Sequence, residues 1–408
     1  MKAALSGFAL RTPLGNDTDT FVRRLLAGER AAQTVDGGRV VAPRLPGEPA
    51  AGHGRFLGRL ERLAIDTAHE ALALALARAP ALAPAGPAVA PERLGLFWAT
   101  GGLRVRWPET RPALVDQRAD GRASWANGLR LLHPFWLLQH LSNNGHALLA
   151  AELPARGEGG VFGGANAGAA AVAAAARALA VGAVDVALVV GCDSLLAPEA
   201  DADAGWGWSR QPLDRLSAPY DIDAGGAVPG EAAAALVLRR PEDEAGRPRA
   251  CVAATTGADG ASGPAGTDAL TAALGRVWPL PTAPDSAPRP TTRDRALLLD
   301  GAGLGVRARD DDERTALAKL CGGAGAPLGS IAAATGQLGA AMSLVQIVAL
   351  ASLLERRTAA PIAGLRAPAP GPLGPLARAQ SLDPSVSAAV GVAIGPPGLV
   401  GVVAVEAA

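Results

Sequence analysis

The chain has 408 residues, 49% of them hydrophobic but only 3% aromatic, with 51 glycines and a formal net charge of zero. Such a length assures a sizeable core. The neutral balance, without a basic tract, argues against nucleic acid as a partner. No apolar run free of Gly or charge reaches the roughly 18–20 residues that span a bilayer, so no membrane association is expected.

The opening "MKAALSGFALRTPLGND" has one Lys but no long apolar stretch followed by a small-residue cleavage site. It reads as a first strand, and a cytoplasmic location is expected. Next, "RLERLAIDTAHEALALALARA" (59–79) has a helical period, and "RLGLFWATG" (93–101) is a strand-like apolar run. Residues 102–146 hold Trp107, Trp125 and Trp136 without a clear strand pattern and read as an inserted cap over a cavity or interface. In it, His133 and His140 lie seven apart, but Pro134 interrupts the turn, so they read as interface or core-edge residues rather than metal ligands.

"VFGGANAGAAAVAAAARALAVG" (161–182) is a helix-length run of Ala and Gly entered through a glycine-rich turn. A helix that is small and apolar all round must be buried on every side. Further strand-like runs follow at 184–192, 232–240, 250–258, 295–303, 329–336, 387–395 and 398–407. Continuous apolar strands bounded by Gly belong to a sheet covered on both faces, and their alternation with helices means α/β layers. "TGQLGAAMSLVQIVALASLLE" (335–355) repeats the pattern of a glycine turn leading into a helix too apolar to be exposed. Two such helices suggest a duplicated α/β/α/β/α sandwich. Pro-rich stretches at 280–290 and 364–376 read as surface connections. The three cysteines, Cys192, Cys251 and Cys321, show no metal spacing and read as buried thiols.

Four motifs give this pattern a family. "SGFALRTPLGNDTDTFVRRLLAGERA" (6–31) resembles "TG...TPLG...F...L..G.S", and "AVDVALVVGCDS" (183–194) resembles "ADVMLAGGAE". "PYDIDAGGAVPGEAAAALVL" (219–238) is similar to "PFD..RDGFV.GEGA..LVLE", and "SIAAATGQLGAAMSLVQIVAL" (330–350) to "S.K...GH..GAAG......L". These are motifs of the β-ketoacyl synthases of the thiolase superfamily, and the resemblance covers nearly the whole chain. It implies an α/β, thiolase-like duplicated α/β/α/β/α sandwich with two mixed five-stranded sheets. The expected halves are 1–245, with the cap at about 102–146, and 246–408.

The family's chemistry uses a Cys at the N-terminus of the buried helix, whose thiolate the helix dipole favours. Two His stabilise an enolate, and a Lys with a nearby acid supports them. Here the resemblance puts the nucleophile position at Ala165. The first His falls in 257–266, which has none, the second near Ala302, the Lys at Ala332 and the His after "TG" at Gln337. Independently of alignment, the five histidines are His53, His69, His133, His140 and His146, all in the first half of the chain. The family's Phe-Gly-Gly-Thr-Asn gate is replaced by Ile394-Gly395-Pro396-Pro397-Gly398, and proline fixes φ, so a rigid loop is expected. "RARDDDE" (307–313) reads as a charge cluster at a helix N-terminus.

A synthase without its nucleophile resembles the chain-length factors. The expected role is a non-catalytic subunit, inactive alone, that pairs with an active ketosynthase and shapes the acyl tunnel of type II polyketide, polyene or fatty-acid-like synthesis. Acyl carrier protein would be met through the partner, and no cofactor or metal is expected. Self-pairing into a homodimer is open when the chain is alone. Pairing through an edge strand at 184–192 and the cap is expected. The tunnel set is Phe162, Trp107, Trp125, Phe135, Trp136, Trp206, Trp208 and Ile394. The alternatives are a decayed synthase serving as a scaffold or acyl-binding protein, and a thiolase-fold acyltransferase with relocated chemistry. Cys192 and Cys321 are the candidate nucleophiles of the last.

Overall fold

The computed structural model describes residues 1–50, 52–78, 89–101, 128–197, 206–244, 248–259, 266–277, 296–321 and 325–408. In chain order the main strands are β1 (Ala3–Arg11), β2 (Leu94–Thr100), β3 (Gly160–Gly163), β4 (Val186–Ser194), β5 (Glu231–Arg239), β6 (Ala250–Ala258), β7 (Leu297–Asp300), β8 (Leu328–Gly329), β9 (Ala388–Gly395) and β10 (Leu399–Ala407). The helices are α1 (Thr18–Leu26), α2 (Arg59–Arg78), α3 (Trp136–His140), α4 (Asn144–Glu152), α5 (Ala167–Ala180), α6 (Thr267–Val277), α7 (Arg307–Leu320), α8 (Ile331–Thr335) and α9 (Met342–Glu355).

Five strands run in the order β3-β2-β4-β5-β1 and five in the order β8-β7-β9-β10-β6. Both sets have the same senses from the edge inward: two parallel pairings, then two antiparallel ones. The duplication suggested by the two apolar helices is therefore written into the strand order. The two five-stranded units are also continuous, because Ala3, Ala4 and Leu5 of β1 pair with Val252, Cys251 and Ala250 of β6.

Side-chain alternation explains the layers. On β5, Ala232, Ala234, Leu236 and Leu238 join the central core, while Ala233, Ala235 and Val237 face a second core under α2. A period of two with both sets apolar is that of a strand covered on both faces. Helix α2 packs on β1, β5 and β4, and α6 packs on β6 and β10 with α7 beside it. Between the two units lie α5, against β2, β4, β6 and β10, and α9, against β9, β10, β5 and β1.

The small residues of α5 follow from that position. A Cβ added to Gly168 would meet Leu344 Cδ1 at 2.6 Å and the Ala340 carbonyl oxygen at 2.7 Å, so α5 and the start of α9 pack together only without one. At the other end of the contact, the buried Asp193 carboxylate at the end of β4 accepts the N–H groups of Ser194 (2.9 Å) and Ala340 (3.0 Å). It thereby satisfies the Ala340 donor at the entry to α9.

Four expectations change. The run at 184–192 lies in β4, which is paired on one side with β2 and on the other with β5, so it is no edge. Among the described residues the edge of that unit is β3, within a stretch read from sequence as a glycine turn. The run at 329–336 is a two-residue strand followed by α8, since its three alanines favour helix and Gly336, at φ 76°, ends it. The Pro-rich stretch 364–376 is more than a surface connection. The Leu376 N–H donates to the Leu328 carbonyl (2.9 Å) and covers the β8 edge, and the fully buried Arg314 guanidinium donates to the carbonyls of Ala369 and Pro370 (both 2.8 Å).

Replacing Gly168 with Ala overpacks the α5–α9 contact, and the expected loss is about 1–3 kcal/mol in urea unfolding. Adding Leu344→Ala removes one of the two clashing groups, so the double variant is more stable than the sum of the single losses predicts.

Candidate functional site

Residue 165 sits at the entrance to α5, just before Asn166 and the first helical residue, Ala167. Its methyl group faces Gly395 at the end of β9: a Cβ built on Gly395 would collide with Ala165 Cβ and lie 2.9 Å from Trp206 Cη2. Trp206 is buried, at 2% exposure, and its ring stacks on Trp208 with centroids 5.2 Å apart and planes 13° from parallel. Ile394 is buried beside Gly395, and Pro396, Pro397 and Gly398 form the turn of the β9–β10 hairpin. Ala165, the closing turn and the Trp206–Trp208 pair thus converge.

A second group forms around the turn after β7. Gln337 Nε2 donates to the carbonyls of Ala302 (2.8 Å) and Gly303 (3.2 Å). Gln337, Ala332 and Gly303 line one cleft with Arg30 and Ser217, and it has room for about one water molecule. Burial, and then the charge of Arg366, push the Arg30 guanidinium below its usual range. The two groups meet where Gly207, at φ 65°, lies so close to Val306 that an added Cβ would be 2.7 Å from Val306 Cγ2.

Beneath the second group lie three buried carboxyls. Glu313 accepts the N–H groups of Ala302 (2.6 Å) and Gly303 (3.3 Å) and the Tyr220 hydroxyl (2.7 Å). Asp310 accepts the N–H groups of Tyr220 (2.9 Å) and Gly305 (3.1 Å). Asp300 accepts the Ile331 N–H and a Gln346 amide N–H, both at 2.8 Å. None of the three is in a salt bridge among the described residues. Burial therefore pushes Asp300 and Asp310 up to about 7 and raises Glu313. It also raises the Tyr220 phenol, with the Glu313 charge adding to the effect.

The acidic stretch 307–313 is accordingly split by the helix period. Asp310 and Glu313, three apart on α7, face inward, while Asp311 stays outside and accepts from Arg307 (2.9 Å) and Arg314 (2.5 Å). Sequence reasoning missed Tyr220, although its signal was present in "PYD" where the family pattern has "PFD".

The remaining candidates lie elsewhere. Phe162, on β3, packs against the central core. Phe135 meets Phe56 edge-on at 5.4 Å, and Trp136 lies over His140 at 4.8 Å, both in the cap. Trp107 and Trp125 fall outside the described residues, as does 260–265 of the segment expected to carry the first His. His140 Nδ1 contacts the Trp136 carbonyl and His133 Nδ1 accepts the Phe135 N–H, so the pair does not act as one unit. Burial raises all three thiols: Cys192 far, Cys321 to about 11 and Cys251 to a lesser degree. The thiolate is the reactive form, and none of these surroundings favours it.

The family model for the β-ketoacyl synthase N-terminal domain matches residues 2–244. The chain belongs to the β-ketoacyl synthase family. Its fold matches a β-ketoacyl synthase from Burkholderia phymatum STM815 with a TM-score of 0.81 at 18% identity, covering 100% of this chain and 99% of that one. The ishigamide ketosynthase/chain length factor gives 0.80 at 19% identity, with 100% and 99% covered. AntDE:AntF, a type II polyketide synthase acyl-carrier protein in complex with its ketosynthase bound to the hexaketide, gives 0.77 at 17%, again with 100% and 99% covered. No curated protein sequence matches. No helix among the described residues is long and apolar enough to cross a membrane.

For this synthase-family chain the buried acids set a pH dependence. In the unfolded chain the carboxyls titrate near about 4; in the fold Asp300 and Asp310 titrate at about 7, so folding favours their protonated forms. Their contribution is complete below about pH 4 and is lost as the pH rises to about 7. Acids with lowered values, such as Asp221 and Asp311, act in the opposite sense and at lower pH. The urea midpoint should therefore fall between pH 5 and pH 8, and Asp300→Asn should make that slope shallower.

Proposed function

We propose that this chain is a non-catalytic ketosynthase subunit of the chain-length-factor type. It pairs with an active β-ketoacyl-carrier-protein synthase and shapes the acyl tunnel in type II polyketide, polyene or fatty-acid-like biosynthesis. The observation that carries this reading is residue 165: a methyl group, without a lone pair, at the helix entrance where the family resemblance puts the nucleophile. The second half of the chain also lacks the histidines that would stabilise an enolate, and the buried acids supply no cation in their place. Relocated cysteine chemistry is disfavoured, because burial holds each thiol neutral. The likeness to the ishigamide ketosynthase/chain length factor supports the pairing role, and AntDE:AntF supports an encounter with a carrier protein at the paired synthase.

The pairing surface of this reading is β3 with the described part of the cap. β3 pairs on one side only, and an unpaired edge invites another chain. Around α3, Leu131, Leu137, Leu138 and Leu141 are 60%, 57%, 36% and 41% exposed, an apolar cluster suited to burial against a partner. Phe135 and Trp136 belong to this part of the cap and, with Trp107 and Trp125, are the proposed limits on acyl length. Phe162, Ile394, Trp206 and Trp208 stand on the side of position 165.

Co-expression with an active ketosynthase encoded beside it should give a stable heterodimer by size-exclusion chromatography with light scattering. Obligate interfaces of this kind bury more than about 2,000 Å². Leu137→Glu, in the exposed cluster, should weaken the pairing at least about tenfold while leaving the thermal unfolding of the isolated chain nearly unchanged. A chain that stays monomeric with every such partner overturns the reading. In the reconstituted pair, Trp136→Ala or Phe135→Ala should lengthen the products seen by mass spectrometry. Ala165→Cys alone should not restore condensation, since no histidine accompanies it.

A further inference from the structure

Trp206 is an unusual residue to find at a vacated site. The chain has 7 Trp among 408 residues, and this one is buried with its six-membered ring against the point where Ala165 and Gly395 meet. The ring edge, Cη2 and Cζ2, lies 2.9 and 3.0 Å from a Cβ built on Gly395, and that Cβ would itself collide with Ala165. The indole edge and the Ala165 methyl group thus flank the same point beside Gly395.

The indole is held in place from three sides. Trp208 stacks on it. The Ser209 N–H donates to the Ala227 carbonyl (2.8 Å) and the Ala227 N–H to the Gly207 carbonyl (3.0 Å), tying the 206–209 segment to 226–227. The Gly226 N–H in turn donates to the Gly305 carbonyl (2.8 Å), which fixes both segments on the turn that carries Ala302. The positive φ of Gly207 and its contact with Val306 leave this segment no room to move toward that turn.

We propose that Trp206 occupies the space a long apolar acyl chain at position 165 would need, making the Trp206–Trp208 pair the element that closes this chain to such ligands. This rests on reading residue 165 as the vacated attachment position, and it goes beyond the loss of the nucleophile: exclusion is steric as well as chemical. The walls left behind by a smaller residue would be Ala165, Gly395, Ile394 and the inner face of Trp208. An apolar cavity of that kind stays dry and takes up apolar guests.

The test uses the purified chain alone, so its outcome is independent of whether a partner pairs with it. cis-Parinarate, a long-chain conjugated polyene fatty acid that fluoresces when taken into an apolar site, is titrated into wild type, Trp206→Ala and Trp208→Ala. Wild type should show no saturable binding, and Trp206→Ala should bind one probe per chain at least about tenfold more tightly than Trp208→Ala. Adding Ala165→Leu to Trp206→Ala should abolish the binding by refilling the same space. If Trp206→Ala does not fold, Trp206→Leu takes its place with the same expected order. Saturable binding by wild type as tight as by the variant overturns the proposal. So does a folded Trp206 variant that binds no probe, or binding that survives Ala165→Leu.

Discussion

The molecule depends on one close contact, that of α5 with the start of α9 between the two halves of the sheet. Gly168 meets Leu344 and the Ala340 carbonyl there with no space for a methyl group. Once two helices must share a layer covered by strands on both sides, neither can carry a polar face, and where they touch one of them must be slim. The Ala and Gly content of the chain is the compositional trace of that geometry. Asp193 completes it by capping the approach to α9 from the end of β4. The same contact fixes the entrance of α5, and with it the direction in which residue 165 faces.

Ordinary packing surrounds that entrance. The Ala165 methyl group faces Gly395, with the buried Trp206 beside it. The Gln337 amide after "TG" spends its donors on the carbonyls of Ala302 and Gly303. A phenol hydroxyl on Tyr220 meets Glu313. Tyr220 itself is held at φ 61°, a costly backbone state for a bulky residue. Three anchors keep it there: its N–H on Asp310, its hydroxyl on Glu313, and its carbonyl accepting the Ala369 N–H (2.8 Å).

Much of this was legible in the sequence because periodicity and composition report burial directly. The two apolar helices and the long strands follow from residues that admit few alternatives, such as an all-small helix. The failures have a common physical cause. Whether a strand is an edge depends on its neighbours in space, so 184–192 looked like an edge while the four-residue β3, hidden among glycines, looked like a turn. The alanines of 329–336 fit strand and helix equally by hydrophobicity alone. The inward turn of Asp310 and Glu313 was invisible because a run of four acids reads as a solvated face until the helix phase is known. Trp206 reads from sequence as part of the tunnel lining, and the nearness of its ring edge to Ala165 and Gly395 is seen only in the structure.

The hydrogen bonds of the buried acids explain why this part of the fold needs them. Cys, His and Lys side chains whose only task is reaction leave nothing unsatisfied when cut back to Ala. Glu313 and Asp310 are different, because between them they accept the backbone N–H groups of Ala302, Gly303, Gly305 and Tyr220. Each of those donors, buried without a partner, would cost about 1–3 kcal/mol. Several together would approach the whole stability of a domain, about 5–15 kcal/mol. A carboxyl buried without a cation is also costly, but here it can be kept neutral near pH 7, as the raised values of Asp300 and Asp310 show. The turn after β7 therefore depends on its buried acids for folding, apart from any chemistry at the site.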